Sequence, residues 1–241
     1  FCSKKEKKRE IIEKMNSLIV HRGPDSDGYY VDDDIALGFR RLSIIDLEGG
    51  SQPIENEDKS KVIVFNGEIY NFKEIRKDLE NKGHIFKTNC DTEVVLHGYE
   101  EYGEGILDTL RGMFAFVIWD KKEKSLFGAR DFFGIKPFYY TRLSDGQLAF
   151  ASEIKSLLAH PDFERRVNKE ALRPYLTLQY SATEETFFEG VYKLLPAHSF
   201  TYKNGELSTR RYWNICFSPD NDTKNWAERI DEAVRESVEA H

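Results

Sequence analysis

Four aromatic, strand-forming runs follow one another within a single stretch of 40 residues: MFAFVIWD (113–120), KSLFGAR (124–130), KPFYYT (136–141) and QLAFAS (147–152). Short polar turns such as Ser144-Asp145-Gly146 separate them. Parallel neighbours need crossovers of a dozen or more residues, so strands joined this tightly are mostly antiparallel. HSFTYKNGELSTRRYW adds a hairpin turning at Asn204-Gly205, and IALGF, LSIID, VIVF and HIFKT read as shorter strands. Helical periodicity covers 4–20, with Ile12, Met15 and Ile19 on one side. HRGPDSDG breaks it as a loop. A helix near 72–82 opens on Asn71 with Glu74 three residues on, the pattern of a capping box. Another runs from Asp91 to Gly103, and EIKSLLA and KEALRPYLTL complete the set. The fold class is α+β, with helices packed outside antiparallel sheets.

Composition narrows the function classes. Of 241 residues, 40% are hydrophobic and 32% charged, which suits a soluble chain with a core that needs no staple. The net charge of −7 argues against nucleic acid as main partner, and KKEKKRE reads as a solvated helix face. No apolar run reaches about 18 residues and no signal peptide opens the chain, so neither a membrane nor export is expected. Cys2, Cys90 and Cys216 are odd in number and scattered, with no CxxC or Cys/His cluster. They read as reduced cytoplasmic thiols, and no metal site is expected.

Three polar positions punctuate the apolar elements. Arg41, entering RLSII, offers a bidentate fork to a carboxylate or pairs with a nearby acid at an edge. The run VIVF stops at Asn66-Gly67, where a side-chain amide and a backbone N–H form an oxyanion site or a plain turn. Asp91 binds an ammonium or merely caps its helix. Taken together, a fork for a carboxylate, a carboxylate for an ammonium and two donors for an amide oxygen describe a pocket for free glutamine.

HRGPDSDGYY, RRLSIIDLEGGSQPI, VFNGEIYNF, CDTEVVLHGYEEYG, LRGMFAF, ARDFFGIKPFYY and ASEIKSLLAHP, in this order, closely resemble the glutamine amidotransferase domain of asparagine synthetases. That resemblance covers about residues 1–213. It implies a class II amidotransferase of the N-terminal-nucleophile hydrolase family, a four-layer αββα sandwich of two antiparallel sheets. It implies that Arg41 clamps the glutamine α-carboxylate, with Leu42, Ser43, Ile44 and Ile45 lining that side. Asn66 and Gly67 match the oxyanion hole, Glu68 completes the substrate-contacting NGE segment, and Asp91 matches the acid that holds the α-amino group. His21–Pro24 match a loop near the nucleophile, and Asp131 and Gly134 a structural turn. From 214 to 241 the chain resembles the linker and first helix of an ATP-using synthetase domain.

The family's nucleophile is a cysteine at the mature N-terminus whose own α-amine shuttles the proton. Cys2 does not fit that role, because Phe1 makes its nitrogen an amide and SKKEKKRE replaces the expected apolar strand. The expectation is therefore a nucleophile upstream of Phe1 and no glutaminase activity in these residues alone. The expected whole enzyme hydrolyses glutamine and passes ammonia to a C-terminal synthetase domain that amidates aspartate. ATP and Mg belong to that domain, no cofactor to this one, and a homodimer is left open. Two rivals stand beside it: an amidotransferase serving another carboxylate, as in a cell-wall or surface polymer, and a non-catalytic amino-acid-binding module.

Overall fold

In the computed structural model, the residues described are 4–42, 50–181, 183–218 and 225–240. Helix α1 (Lys4–Ser17) precedes a two-stranded ribbon of β1 (Ser26–Val31) and β2 (Ala36–Arg41). Next come β3 (Ile54–Glu55), β4 (Lys61–Ile69), α2 (Phe72–Asn81), α3 (Asp91–Tyr102), β5 (Gly112–Asp120) and β6 (Ser125–Arg130). Strands β7 (Tyr139–Arg142) and β8 (Leu148–Ala151) lead into α4 (Ile154–Leu157) and α5 (Leu172–Leu178). The chain continues through β9 (Val191–Lys193), β10 (His198–Lys203), β11 (Glu206–Arg211) and α6 (Trp226–Ala240).

Six strands form one sheet in the order β11-β10-β6-β5-β4-β3; β8-β7-β9 form a second and β1-β2 a third. Among the described residues every strand pairing is antiparallel. The four aromatic runs split two and two: β5–β6 is a hairpin of the large sheet, and β7–β8 a hairpin of the small one. Asp131 organises the crossing between them, its carboxylate accepting from the N–H groups of Phe133, Ile135 and Lys136. Gly134 takes φ +66 there, a conformation glycine adopts without a Cβ penalty.

Three apolar interfaces define four layers. Side chains alternate along β4, so Ile63, Phe65 and Ile69 pack against α2 and α3, while Val62 and Val64 face the smaller sheets. Beyond those sheets, Met15 of α1 and Leu157 of α4 close a third cluster on Ala149 and Val191. The result is the αββα sandwich, with its second sheet layer in two pieces among the described residues.

Several local expectations need correction. Strand β4 does not stop at Asn66-Gly67: it continues to Ile69, with Asn66 opposite Ala115 and Gly67 opposite Phe114. A Cβ on Gly67 would lie 2.2 Å from the Met113 carbonyl oxygen, so the glycine serves close strand approach rather than a turn. Asn71 does not cap α2 with its side chain. Its amide instead pairs with the backbone of Arg111 and Thr109, locking the helix entry to β5. HIFKT is not a strand. The Glu93 carboxylate takes the N–H groups of Lys87 and Thr88, so no partner strand is needed. Ser26–Gly28 belong to β1 rather than to the preceding loop, and most of LSIID lies outside the described residues. No side chain of α6 is buried. Among the described residues, no helix is long and apolar enough to cross a membrane.

Candidate active site

The ladder alternation of β4 decides which groups are available on its outer edge. Tyr70 donates to Arg111 on the β5 side, so even-numbered N–H groups point to β5 and odd-numbered ones point away. Three successive outward positions are Phe65, Gly67 and Ile69. At Phe65 the side chain of Gln52 acts as a strand substitute: Oε1 accepts the N–H at 2.7 Å and Nε2 donates to the carbonyl at 3.0 Å. At Ile69 the N–H donates to Asp91 Oδ2 at 2.9 Å. Between these two occupied positions, the Gly67 N–H points outward on the open edge.

Asn66 completes the pair of donors. Its side chain lies on the face shared with Val62 and Val64, between the sheets. There it borders a cavity of about 130 Å³ that runs between β2 and β8, with Arg40, Phe150 and Ser152 also on its wall. The Asn66 Nδ2 is buried and has no hydrogen-bond partner among the described residues. A buried amide N–H left unmade costs about 1–3 kcal/mol. Such a group beside a cavity is a candidate donor to a bound acceptor.

The remaining expected residues are distributed as follows. Arg41 is buried at the end of β2, on the strand face it shares with Leu37 and Phe39, and β2 packs on β4. It is Arg40, however, that borders the cavity, with Nε on the Gly23 carbonyl and a longer ion pair to Asp27. Leu42 is exposed, and Ser43, Ile44 and Ile45 lie outside the described residues, as does Cys2. Glu68 shares the Asn66 face of β4. Asp91 is buried as the first residue of α3; its carboxylate accepts from the Ile69 N–H, and the backbone N–H groups at the start of its own helix, Thr92 among them, also favour its charge. Burial pushes its carboxyl above the usual value, and the Glu68 charge adds to that shift against the hydrogen bond from Ile69. An ammonium beside it would relieve both effects. The structure therefore brings Asn66, Gly67, Glu68 and Asp91 to one end of β4, with Arg41 on the strand that packs against it.

Sequence reasoning missed Gln52. Its signal was faint: a polar residue before Pro53, whose use appears only when β3 proves too short to reach Phe65. His21 and Arg22 gather with Lys155 on the Glu153 carboxylate, Arg22 reaching the cavity wall. Of the described cysteines, Cys216 is exposed, and burial raises the Cys90 thiol, which weakens it as a nucleophile.

The fold narrows the class of protein, and the comparisons give the family. The chain belongs to the glutamine amidotransferase domain family, whose model matches residues 1–213. It is 47% identical over 235 residues to asparagine synthetase [glutamine-hydrolyzing] 1 of Bacillus subtilis (strain 168), covering 96% of this chain and 37% of that protein. Asparagine synthetase [glutamine-hydrolyzing] 3 of the same organism is 40% identical over 210 residues, covering 86% and 34%. Amidase chry2 of Gibberella zeae is 36% identical over 251 residues, covering 96% and 36%. The chain thus spans about a third of the length of the curated relatives it matches. Among solved structures, a glutamine phosphoribosylpyrophosphate amidotransferase from B. subtilis superposes with a TM-score of 0.53 at 20% identity, over 74% of this chain and 35% of that one. At that identity the likeness bears on fold alone.

Proposed function

We propose that residues 1–213 are the glutamine-hydrolysing unit of a longer amidotransferase. The observation that carries this reading is the buried, unpartnered Nδ2 of Asn66 beside the outward N–H of Gly67. The two donors hold the oxygen of a glutamine side-chain amide as it becomes an oxyanion, while Asp91 takes the α-ammonium and Arg41 the α-carboxylate. A thiolate from the N-terminal cysteine that the family resemblance implies adds to the amide carbon, ammonia leaves, and water cleaves the thioester to glutamate. Each preorganised donor contributes about 3 kcal/mol at the transition state.

The acceptor of that ammonia belongs to the rest of the protein. The names of two relatives, asparagine synthetases, favour a synthetase unit from residue 214 onward that makes asparagine; ATP and Mg at that unit are what the family resemblance implies. The decisive experiment is Asn66→Ala in the full-length protein, assayed for glutaminase turnover. Loss of one oxyanion donor lowers kcat by about 10²–10³ with KM little changed. Unaltered kcat would remove the oxyanion assignment, and glutamine binding without any turnover in the parent would favour the binding-module reading.

A further inference from the structure

On the far side of α3 from its first turn, four side chains from three separate segments converge. His97 and Glu100 stand one helical turn apart on α3; Glu57 comes from the loop after β3, and His84 from the segment after α2. One ligand atom from each lies within 4.8 Å of the others. His97 Nδ1 is 2.8 Å from Glu100 Oε2 and 3.3 Å from Glu57 Oε2, and His84 Nδ1 is 3.5 Å from Glu57 Oε1. Four ligands at 2.0–2.1 Å around one tetrahedral ion stand about 3.3 Å apart, so little movement separates this cluster from a coordination shell.

The surroundings match as well. Behind His97, Nε2 is buried without a hydrogen bond among the described residues, 3.5 Å from Glu93 Oε1. Behind His84, Nε2 lies 3.5 Å from Glu101 Oε2. An imidazole that ligates a metal through one nitrogen characteristically turns its other N–H to a carboxylate. Both carboxylate ligands are oriented too: Glu57 Oε1 accepts from the Ile85 N–H at 3.0 Å, and Glu100 accepts from the Asn56 amide through its other oxygen. Phe86 stands edge-on to His97 at 4.7 Å and walls the cluster with an apolar face.

We propose that Glu57, His84, His97 and Glu100 form a binding site for one divalent cation of the zinc class, ligated through both Nδ1 atoms and one oxygen of each carboxylate. Two imidazoles with two carboxylates suit zinc and its neighbours rather than calcium or magnesium, which favour all-oxygen shells. With four protein ligands the site has no open position, so its role is structural. It fastens the loops at 57 and 84 to α3, the helix whose first residue is Asp91. The sequence gives little warning, because the spacing 57, 84, 97, 100 matches no compact ligand motif.

The test uses the purified protein, stripped with a chelator and titrated with Zn²⁺ by calorimetry and with Co²⁺ by visible absorption. The expected result is one equivalent bound, a raised unfolding midpoint and the intense ligand-field bands of four-coordinate Co²⁺. His84→Gln and Glu57→Gln, both at the half-buried rim, keep the parent's circular dichroism and weaken Zn²⁺ by about tenfold or more. Absence of saturable binding overturns the proposal and leaves a proton on His97 as the occupant. Unchanged affinity in both variants overturns it equally, by placing the ion elsewhere. Neither result bears on the glutamine site.

Discussion

At the scale of single residues, Gly67 shows how one position serves both fold and chemistry. Its N–H points outward at the proposed oxyanion site, while its missing side chain lets β4 lie close against β5. A Cβ there meets the Met113 carbonyl at 2.2 Å and the Phe114 Cα at 2.7 Å, both backbone atoms that cannot swing aside. Gly67→Ala therefore destabilises by about 1–3 kcal/mol through overpacking. The denaturant midpoint measures it, and a midpoint equal to the parent's would contradict the close approach. Sequence alone could name Asn66 and Gly67 but misjudged their setting, since Asn-Gly is ordinarily a turn. Strand pairing to Ala115 and Phe114 overrides that local preference, and no property of the dipeptide itself announces it.

At the scale of elements, the ribbon β1–β2 is joined to the large sheet through Asp32. Its carboxylate accepts from Trp119 Nε1 of β5, from the Tyr30 hydroxyl and from the N–H groups of Asp34 and Ile35 in the ribbon's own turn. Burial alone would raise this carboxyl, but the hydrogen bonds outweigh it and hold it below its ordinary value of 3.8. A carboxyl depressed on folding contributes stability that is fully present above the unfolded value and lost as pH falls through the folded one. Asp32→Asn should then flatten the acid limb of the stability curve below about pH 4, with the ribbon loosened at neutral pH. Equal acid sensitivity in parent and variant, followed by thermal unfolding across that range, would rule out this linkage. Elements of this kind were legible wherever periodicity was local: α3, the hairpin at Asn204-Gly205 and the β5–β6 pair all fall where pattern puts them. The segment at 84–88 fails because its backbone donors are met by Glu93, a partner whose reach across a loop leaves no periodic trace.

For the whole molecule, the layering has a consequence for ligand binding. Arg41 belongs to the smaller sheet layer, Asn66 and Gly67 to the six-stranded sheet, and Asp91 to the outer helices. A ligand gripped by all of them ties three of the four layers, so glutamine should stabilise the domain as one unit rather than a single loop. At a hundredfold excess over Kd, a ligand that binds only the folded state contributes about 2.7 kcal/mol. The pH dependence follows from Asp91. Burial and Glu68 raise its folded-state value, so ionisation works against the ligand-free fold, and an ammonium favours the ionised form. Glutamine affinity should consequently fall as pH drops through that raised value, and the thermal shift should shrink with it. Asp91→Asn retains an acceptor for the Ile69 N–H but carries no charge to lose, so its glutamine shift should be small at every pH. Calorimetry and thermal unfolding between pH 3.5 and 8 separate the cases: a parent-sized, pH-independent shift in the variant would remove Asp91 from the ammonium site. Topology sets Asn66 and Asp91 at one end of β4 and Arg41 on β2, the strand that packs against it. Composition and periodicity do not encode that convergence, which is why the family motifs, and not the pattern of apolar residues, were needed to expect it.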